Sequence, residues 1–123
     1  MATIDPTVTN DGDGSIRKFD YEALTTTNDV GAAIPLDQYV DCSVQVIGTF
    51  GSGGTVAWEG SNDGGTTWAT LNDVNGSALS IQAAAIDHCQ VPARLVRPHV
   101  TAGDGATDLD VHVVCRRPNN MRQ

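Results

Sequence analysis

Histidine, cysteine and carboxylate residues are the groups of this chain that could do chemistry. The histidines and cysteines are His88, His99, His112, Cys42, Cys89 and Cys115. The neighbours His88 and Cys89 and the spacing His112-x-x-Cys115 offer zinc ligands, but residues three apart on a strand point to opposite faces. No histidine lies in a nucleophile motif such as G-x-S-x-G, and a Ser-His-Asp triad is assembled in space rather than along the chain. The sequence therefore predicts neither a zinc site nor nucleophilic catalysis.

Two carboxylates, Glu59 and Asp63, flank a glycine-rich turn and have the composition of a glycosidase pair. Glu59 alternates with Trp58 and should face outward, whereas Asp63 is required by the turn itself. The segment 10–14 resembles part of a calcium loop but lacks the spacing and terminal Glu of an EF-hand. The glycines of segment 51–54 join two strands and do not form a phosphate loop. We therefore expect a non-enzymatic protein without a metal or cofactor.

The turn between these carboxylates is the strongest motif of the sequence. Segment 61–68, SNDGGTTW, fits the Asp-box pattern S-x-D-x-G-x-T-W, which occurs in many β-proteins. In this pattern the Ser and Asp side chains accept hydrogen bonds from backbone N–H groups, the Gly takes a positive φ and the Trp closes the base of the turn. The segment 55–71 is therefore predicted to be a hairpin. Its structural turn residues are Ser61, Asp63, Gly65 and Trp68.

The elements that position this hairpin are predicted to be strands. The chain has 123 residues, the size of one domain, and its 13 glycines and frequent Thr, Val, Asp and Asn favour strands and turns over helices. Segment 38–49 alternates strictly, with Val40, Cys42, Val44 and Val46 on one face. Segment 108–116 alternates in the same way, with Leu109, Val111, Val113 and Cys115 facing inward.

Other segments complete the prediction of an all-β fold. Further strands are expected at 19–24, 78–82 and 94–101, Pro35 marks a strand end or sheet edge, and Asn75-Gly76 favours a type I′ turn. Segment 83–90 is interpreted as a crossover between sheets. About seven or eight strands then form an antiparallel β-sandwich or a small jelly roll.

The two ends of the chain are predicted to lie outside the sandwich. Residues 1–18 contain few apolar groups and are predicted to form an extended N-terminal arm, while 19–117 form the domain and 118–123 a polar tail. Contacts with another chain or with the body of the domain would order the arm, and we favour a neighbouring chain. No apolar run is long enough for a membrane helix, and the N-terminus lacks the features of a signal peptide. We expect synthesis in a cytoplasm, no membrane partner and reduced, buried cysteines.

The charge distribution bears on partners. The net charge is −8, the seven basic residues all lie near the ends, and segment 20–93 holds nine acids without Lys or Arg. This layout argues against a nucleic-acid partner, which would be bound by a basic stripe. The terminal cations and the apolar residues of the arm are candidate assembly contacts with identical copies in a homo-oligomer such as a trimer. They are Ile4, Val8, Ile16, Arg17, Lys18, Arg116, Arg117 and Arg122.

Segments 48–79 (GTFGSGGTVAWEGSNDGGTTWATLNDVNGSAL) and 91–117 (VPARLVRPHVTAGDGATDLDVHVVCRR) resemble small structural proteins coded among the virion genes of tailed bacteriophages. The resemblance covers residues 40–117. It implies a virion-located β-sandwich, most simply a decoration or cement protein bound to the major capsid protein in many copies, or alternatively a tail or head-tail connector component. A rival interpretation is a carbohydrate-binding module with Trp58 or Trp68 as a stacking platform, although both tryptophans are expected in the core.

Overall fold

The structure of the protein, a computed structural model, describes residues 3–11, 15–36, 39, 41–89 and 93–117. The described residues form twelve strands and no helix. They are β1 (Thr3–Ile4), β2 (Thr7–Asp11), β3 (Ile16–Leu24), β4 (Val30–Gly31), β5 (Ile34–Pro35), β6 (Asp41–Thr49), β7 (Thr55–Ser61), β8 (Ala69–Thr70), β9 (Ser80–Ile81), β10 (Ala85–Cys89), β11 (Leu95–Ala102) and β12 (Asp108–Arg116).

The strands form two sheets that pack face to face. The seven-stranded sheet has the order β1-β4-β11-β7-β8, with β5 beside β11 and β9 beside β7. The five-stranded sheet has the order β10-β6-β12-β3-β2. The predicted all-β sandwich is confirmed, and the strand number exceeds the predicted seven or eight because five of the strands, β1, β4, β5, β8 and β9, are only two residues long.

The core lies between the sheets and follows the alternation seen in the sequence. On β6, Cys42, Val44 and Val46 are buried, and β12 buries the four inward residues that its alternation predicts. Pairing of β12 with β6 and β3 along its length places it at the centre of the five-stranded sheet. From β3 the Tyr21 hydroxyl donates a hydrogen bond to the Ala32 carbonyl at 2.7 Å, which ties this sheet to the segment after β4.

The N-terminal segment is part of the sandwich, which corrects the prediction of a separate arm. Thr3–Ile4 pairs with β4, and Thr7–Asp11 pairs with β3 as the outer strand of the five-stranded sheet. Backbone hydrogen bonds to strands of the same chain order this segment, so it needs few apolar side chains. Ile4 packs against the core, while Val8 is 51% exposed. The predicted tail 118–123 lies outside the described residues.

Two local predictions also change. Segment 85–89, predicted as part of a crossover, is a strand paired with β6, and the chain passes from one sheet to the other just before it. The turn at Asn75-Gly76 is not type I′, because Gly76 has a positive φ of 81° and Asn75 does not. The Gly76 and Asp73 backbones instead close the turn through an N–H to carbonyl hydrogen bond of 3.1 Å.

The other predicted features of the strands hold. Pro35 lies in a two-residue strand that pairs only with β11 among the described strands, at the sheet edge that it predicts. All three cysteines are buried, and none of the three forms a disulfide. No described segment is a helix of the length and apolarity needed to cross a bilayer.

Candidate assembly surface and the polar cluster of the opposite sheet

The 61–68 loop is held by hydrogen bonds from two side chains. The Ser61 hydroxyl donates to Asp63 Oδ1 at 2.7 Å and accepts the Gly65 N–H at 3.0 Å. Asp63 Oδ1 also accepts the backbone N–H groups of Thr66 and Thr67 at 3.1 and 3.0 Å. These donors, the Thr67 N–H foremost and the Ser61 hydroxyl next, lower the pKa of Asp63 to about 2. The loop therefore has the side-chain to backbone bonding that its sequence predicts, and Asp63 is committed to the turn.

Trp68 closes this loop without entering the core. Its indole N–H donates to the Gly65 carbonyl at 3.0 Å, and the Arg97 guanidinium lies 4.1 Å above its ring centroid. The side chain is only partly buried. Trp58, by contrast, is 1% exposed. The prediction that both tryptophans are core residues is thus right for Trp58 and wrong for Trp68.

A polar cluster of four side chains lies on the outer face of the seven-stranded sheet. It consists of Asp29, Glu59, Arg97 and His99, which come from β7, β11 and the residue before β4. Glu59 Oε1 accepts from Arg97 Nε at 2.9 Å, and Glu59 Oε2 lies 3.0 Å from His99 Nδ1. His99 Nε2 lies 3.3 Å from Asp29 Oδ2. The four side chains keep only 12 to 26% of their surface exposed.

The polar cluster joins neighbouring strands through side-chain hydrogen bonds and ion pairs, so its geometry suits a structural role. Each ring nitrogen of His99 faces a carboxylate, and no hydrogen bond within the described chain joins His99 to a hydroxyl or thiol. A nucleophile with its base is therefore not assembled at this point. Nor do three or more His, Cys, Asp or Glu side chains of the described residues form a group suited to a metal ion.

Sequence reasoning missed this polar cluster because its members are far apart in the chain. The outward alternation of Glu59 beside Trp58 was visible, but the partner strand was not. Only the pairing of Glu59 with Arg97 in the β7–β11 register brings the charges together.

On the five-stranded sheet, β3 and β12 carry opposite charges at opposite ends. β3 begins with Arg17 and Lys18, and β12 ends with Arg116, followed by Arg117. Because the two strands are antiparallel, Ile16 pairs with Arg116 and these cations meet at one end. On the other side of β12, Asp41 of β6 is the register partner of Arg116. We call Arg17, Lys18, Arg116 and Arg117 the basic end. Arg116 is exposed, and the other three side chains are partly exposed.

The same pairing collects carboxylates at the other end of these strands. Glu22 near the end of β3 lies close to Asp108 and Asp110 at the start of β12. We call these three residues the acidic end. At about 3.4 Å per residue, the ends of β12 lie about 27 Å apart. This separation exceeds the Debye length of about 8 Å at physiological salt, so the two ends act as separate charged patches.

The predicted assembly residues divide between this surface and internal roles. Arg17 donates to Asn10 Oδ1 at 2.8 Å and lies 4.7 Å above the Tyr39 ring, so it also braces its own chain. Ile16 is partly buried in β3. Arg122 lies outside the described residues.

The outer face of the five-stranded sheet also has a groove and apolar side chains. A groove of about 380 Å³ lies beside the basic end; its lining residues are Cys42, Ser43, His88, Val114 and Arg116. On the neighbouring strands Ile47 is 38% and Ile86 is 65% exposed. The two outer strands of this sheet are β2 and β10. The outer face of this sheet therefore has cationic, acidic and apolar patches.

Comparison with known proteins adds no family to this picture: no family model, no characterised protein and no solved structure matches the chain.

Proposed function

We propose that the protein is a non-enzymatic structural component that binds further copies of itself head to tail, and that it decorates the head of a tailed bacteriophage. The observation that carries the proposal is the charge polarity of the β3–β12 pair, with the basic end and the acidic end at opposite limits of the two strands. Within the basic end, Lys18 and Arg116 alternate with the buried residues of their strands and so lie on the outer face, whereas Arg17 is the register partner of buried Cys115.

Charge complementarity between copies is the first step of the argument. The basic end of one copy and the acidic end of the next attract each other, while two like ends repel, so the contact is directional. The groove is lined by Arg116 and His88. In this proposal the carboxylates of the approaching copy meet Arg116 at this groove. Contact through two different patches is heterologous, so it closes into a ring, such as a trimer, or continues as an array.

Apolar contact adds to this attraction. Ile47 and Ile86 lie on the same outer face, and an exposed apolar pair gains free energy when a partner covers it. The outer strands β2 and β10 also present backbone groups that a neighbouring strand can pair with, except at Cys89, which already bridges to Asp73. A lattice of repeated copies uses all of these features.

The head of a phage particle is the place suggested by the sequence resemblance over residues 40–117. Its support is the succession of the hairpin, the 95–102 strand and the arginine-ended final strand. The partner on the particle is then the major capsid protein. A tail or head-tail connector role uses the same surfaces and is the alternative within this proposal.

A carbohydrate-binding role receives less support. A stacking platform requires an accessible indole face. Trp58 is buried, and Arg97 covers one face of Trp68.

Self-association is tested by charge reversal at the two ends. Arg116→Glu and Asp108→Lys each place like charges across the contact and should weaken association about tenfold or more. The double variant again presents opposite charges and should recover association. Sedimentation velocity at about 0.02 M and about 0.5 M salt measures both the mutational effect and the screening.

Arg94→Glu is the matched control, because Arg94 is exposed, carries the same charge and directly precedes β11, a strand of the other sheet. It should associate as the native protein does. Equal weakening by Arg94→Glu would show an effect of net charge alone. Single reversals that leave association unchanged would show that the ends do not meet.

Location is tested separately by antibody-gold labelling of purified phage particles that encode the chain. Many labels over each head are expected. Labelling confined to the tail would replace the head role by the tail role, and unlabelled particles would overturn the virion assignment.

A further inference from the structure

The three cysteines occupy one row across three neighbouring strands of the five-stranded sheet. Cys42 on β6 is the register partner of Cys115 on β12 and of Cys89 on β10. All three are buried, with exposures of 2%, 0% and 6% for Cys42, Cys115 and Cys89. The Sγ atoms of Cys42 and Cys115 lie 2.9 Å apart. Two thiols are thus in direct contact in the core between the two central strands.

We propose that Cys42 and Cys115 form a modification site, a dithiol that a small-molecule disulfide oxidant converts into a cross-strand disulfide. The Cys42 thiolate attacks one sulfur of the oxidant, forms a mixed disulfide and releases the first small thiol. The Cys115 thiolate then attacks the Cys42 sulfur and releases the second. The protein loses two electrons and two protons, and the two released thiols carry them.

The final bond between the two sulfurs requires little movement, whereas the oxidant reaches the buried Cys42 thiol only when the sheet opens locally. The sulfurs need to approach from 2.9 Å to the about 2.05 Å of a disulfide, and directly opposed residues on paired strands have neighbouring Cβ atoms. The bond remains open to exchange with an added small thiol, which makes the modification reversible.

Cys89 is an internal competitor, because it lies opposite Cys42 on the other side. The 2.9 Å contact makes Cys115 the partner that we expect for Cys42. The resulting bond joins residues 73 apart in sequence, across the middle of the sheet. The disulfide lowers the conformational entropy of the unfolded chain and should raise the melting temperature by about 5–10 °C.

The experiment incubates the native protein with oxidised glutathione and follows mass and linkage. The expected product is lighter by about 2 Da, carries a Cys42–Cys115 linkage in its peptide map and leaves Cys89 as the alkylated thiol after denaturation. Dithiothreitol should restore the starting mass. Cys89→Ser should still form the bond, and Cys115→Ser should not.

A second experiment makes the thiols accessible to the oxidant by starting from the unfolded protein. The unfolded protein is refolded in a mixture of reduced and oxidised glutathione, where all three pairings compete. A dominant Cys42–Cys115 linkage in either experiment supports the site. Three alkylated thiols in both experiments, or a dominant linkage to Cys89, would overturn it.

Discussion

Replacement of Gly60 by alanine tests how the hairpin packs on the sandwich. Gly60 lies in β7, where it pairs with Ala69 and Val96. A Cβ atom at this position would lie 2.7 Å from Ala93 Cβ and 2.9 Å from both δ-methyl carbons of Leu71. Real Cβ atoms do not approach other atoms this closely, so Leu71 or Ala93 must move.

The cost follows from the rigidity of these neighbours. Leu71 is 8% exposed and belongs to the core, so it has little room to retreat. Inserting a methyl group into a packed interior costs about 1–3 kcal/mol. With an unfolding slope of about 2 kcal/mol per molar urea, the midpoint of Gly60→Ala should fall by about 0.5–1.5 M. Urea unfolding followed by tryptophan fluorescence measures the midpoint and the slope together.

Gly105→Ala is the matched control, since it makes the same change where a Cβ meets nothing within 4 Å. Its φ lies outside the left-handed region. The substitution removes freedom from the unfolded chain and should leave stability unchanged or raise it by up to about 1 kcal/mol. A Gly60→Ala midpoint equal to that of the native protein would show that Leu71 and Ala93 do not pack against β7 in this way.

Three further results are expected. The pKa of Asp63 falls from 3.8 to about 2 on folding, so the stabilisation from its carboxylate is present above pH 3.8 and is lost as the pH falls toward 2. The melting temperatures of the native protein and of Asp63→Asn should therefore converge over that pH interval. A difference in melting temperature that stays constant with pH would contradict this. Glu59→Gln should lower the free energy of unfolding by about 1–2 kcal/mol. A double-mutant cycle with His99→Gln should give a coupling energy of about 0.5–1 kcal/mol, and additive effects would show that the two side chains do not interact. Acrylamide should quench Trp68 and leave Trp58 emission protected, whereas complete quenching would place both indoles at the surface.

The sequence alone determined the elements whose signals are local. The alternation of β6 and β12 is a period of two that only a half-buried strand satisfies. The 61–68 loop was predictable because the hydrogen bonds of its Ser61, Asp63 and Trp68 side chains join residues at most four apart, such as Asp63 and Thr67. Burial of the cysteines followed from their places in apolar runs.

Segments with weak local signals were decided by the tertiary structure. β2 has few apolar residues, and β10 is exposed over most of its length, so neither shows an alternation that could identify it. Both are strands because a neighbouring edge offers unpaired N–H and carbonyl groups, which are the same for every residue type. For this reason the sequence predicted an arm where the chain forms β2 and a crossover where it forms β10.

The neighbours of each strand were likewise invisible in the sequence. The alternation of a strand tells which side chains face outward but not which strand lies beside it. Asp29 and His99 are 70 residues apart, and Asp20 and His112 are 92 apart, yet each pair is in contact. The polar cluster, the two charged ends and the paired thiols all depend on the register between distant strands, which backbone hydrogen bonds and the closure of the core decide together.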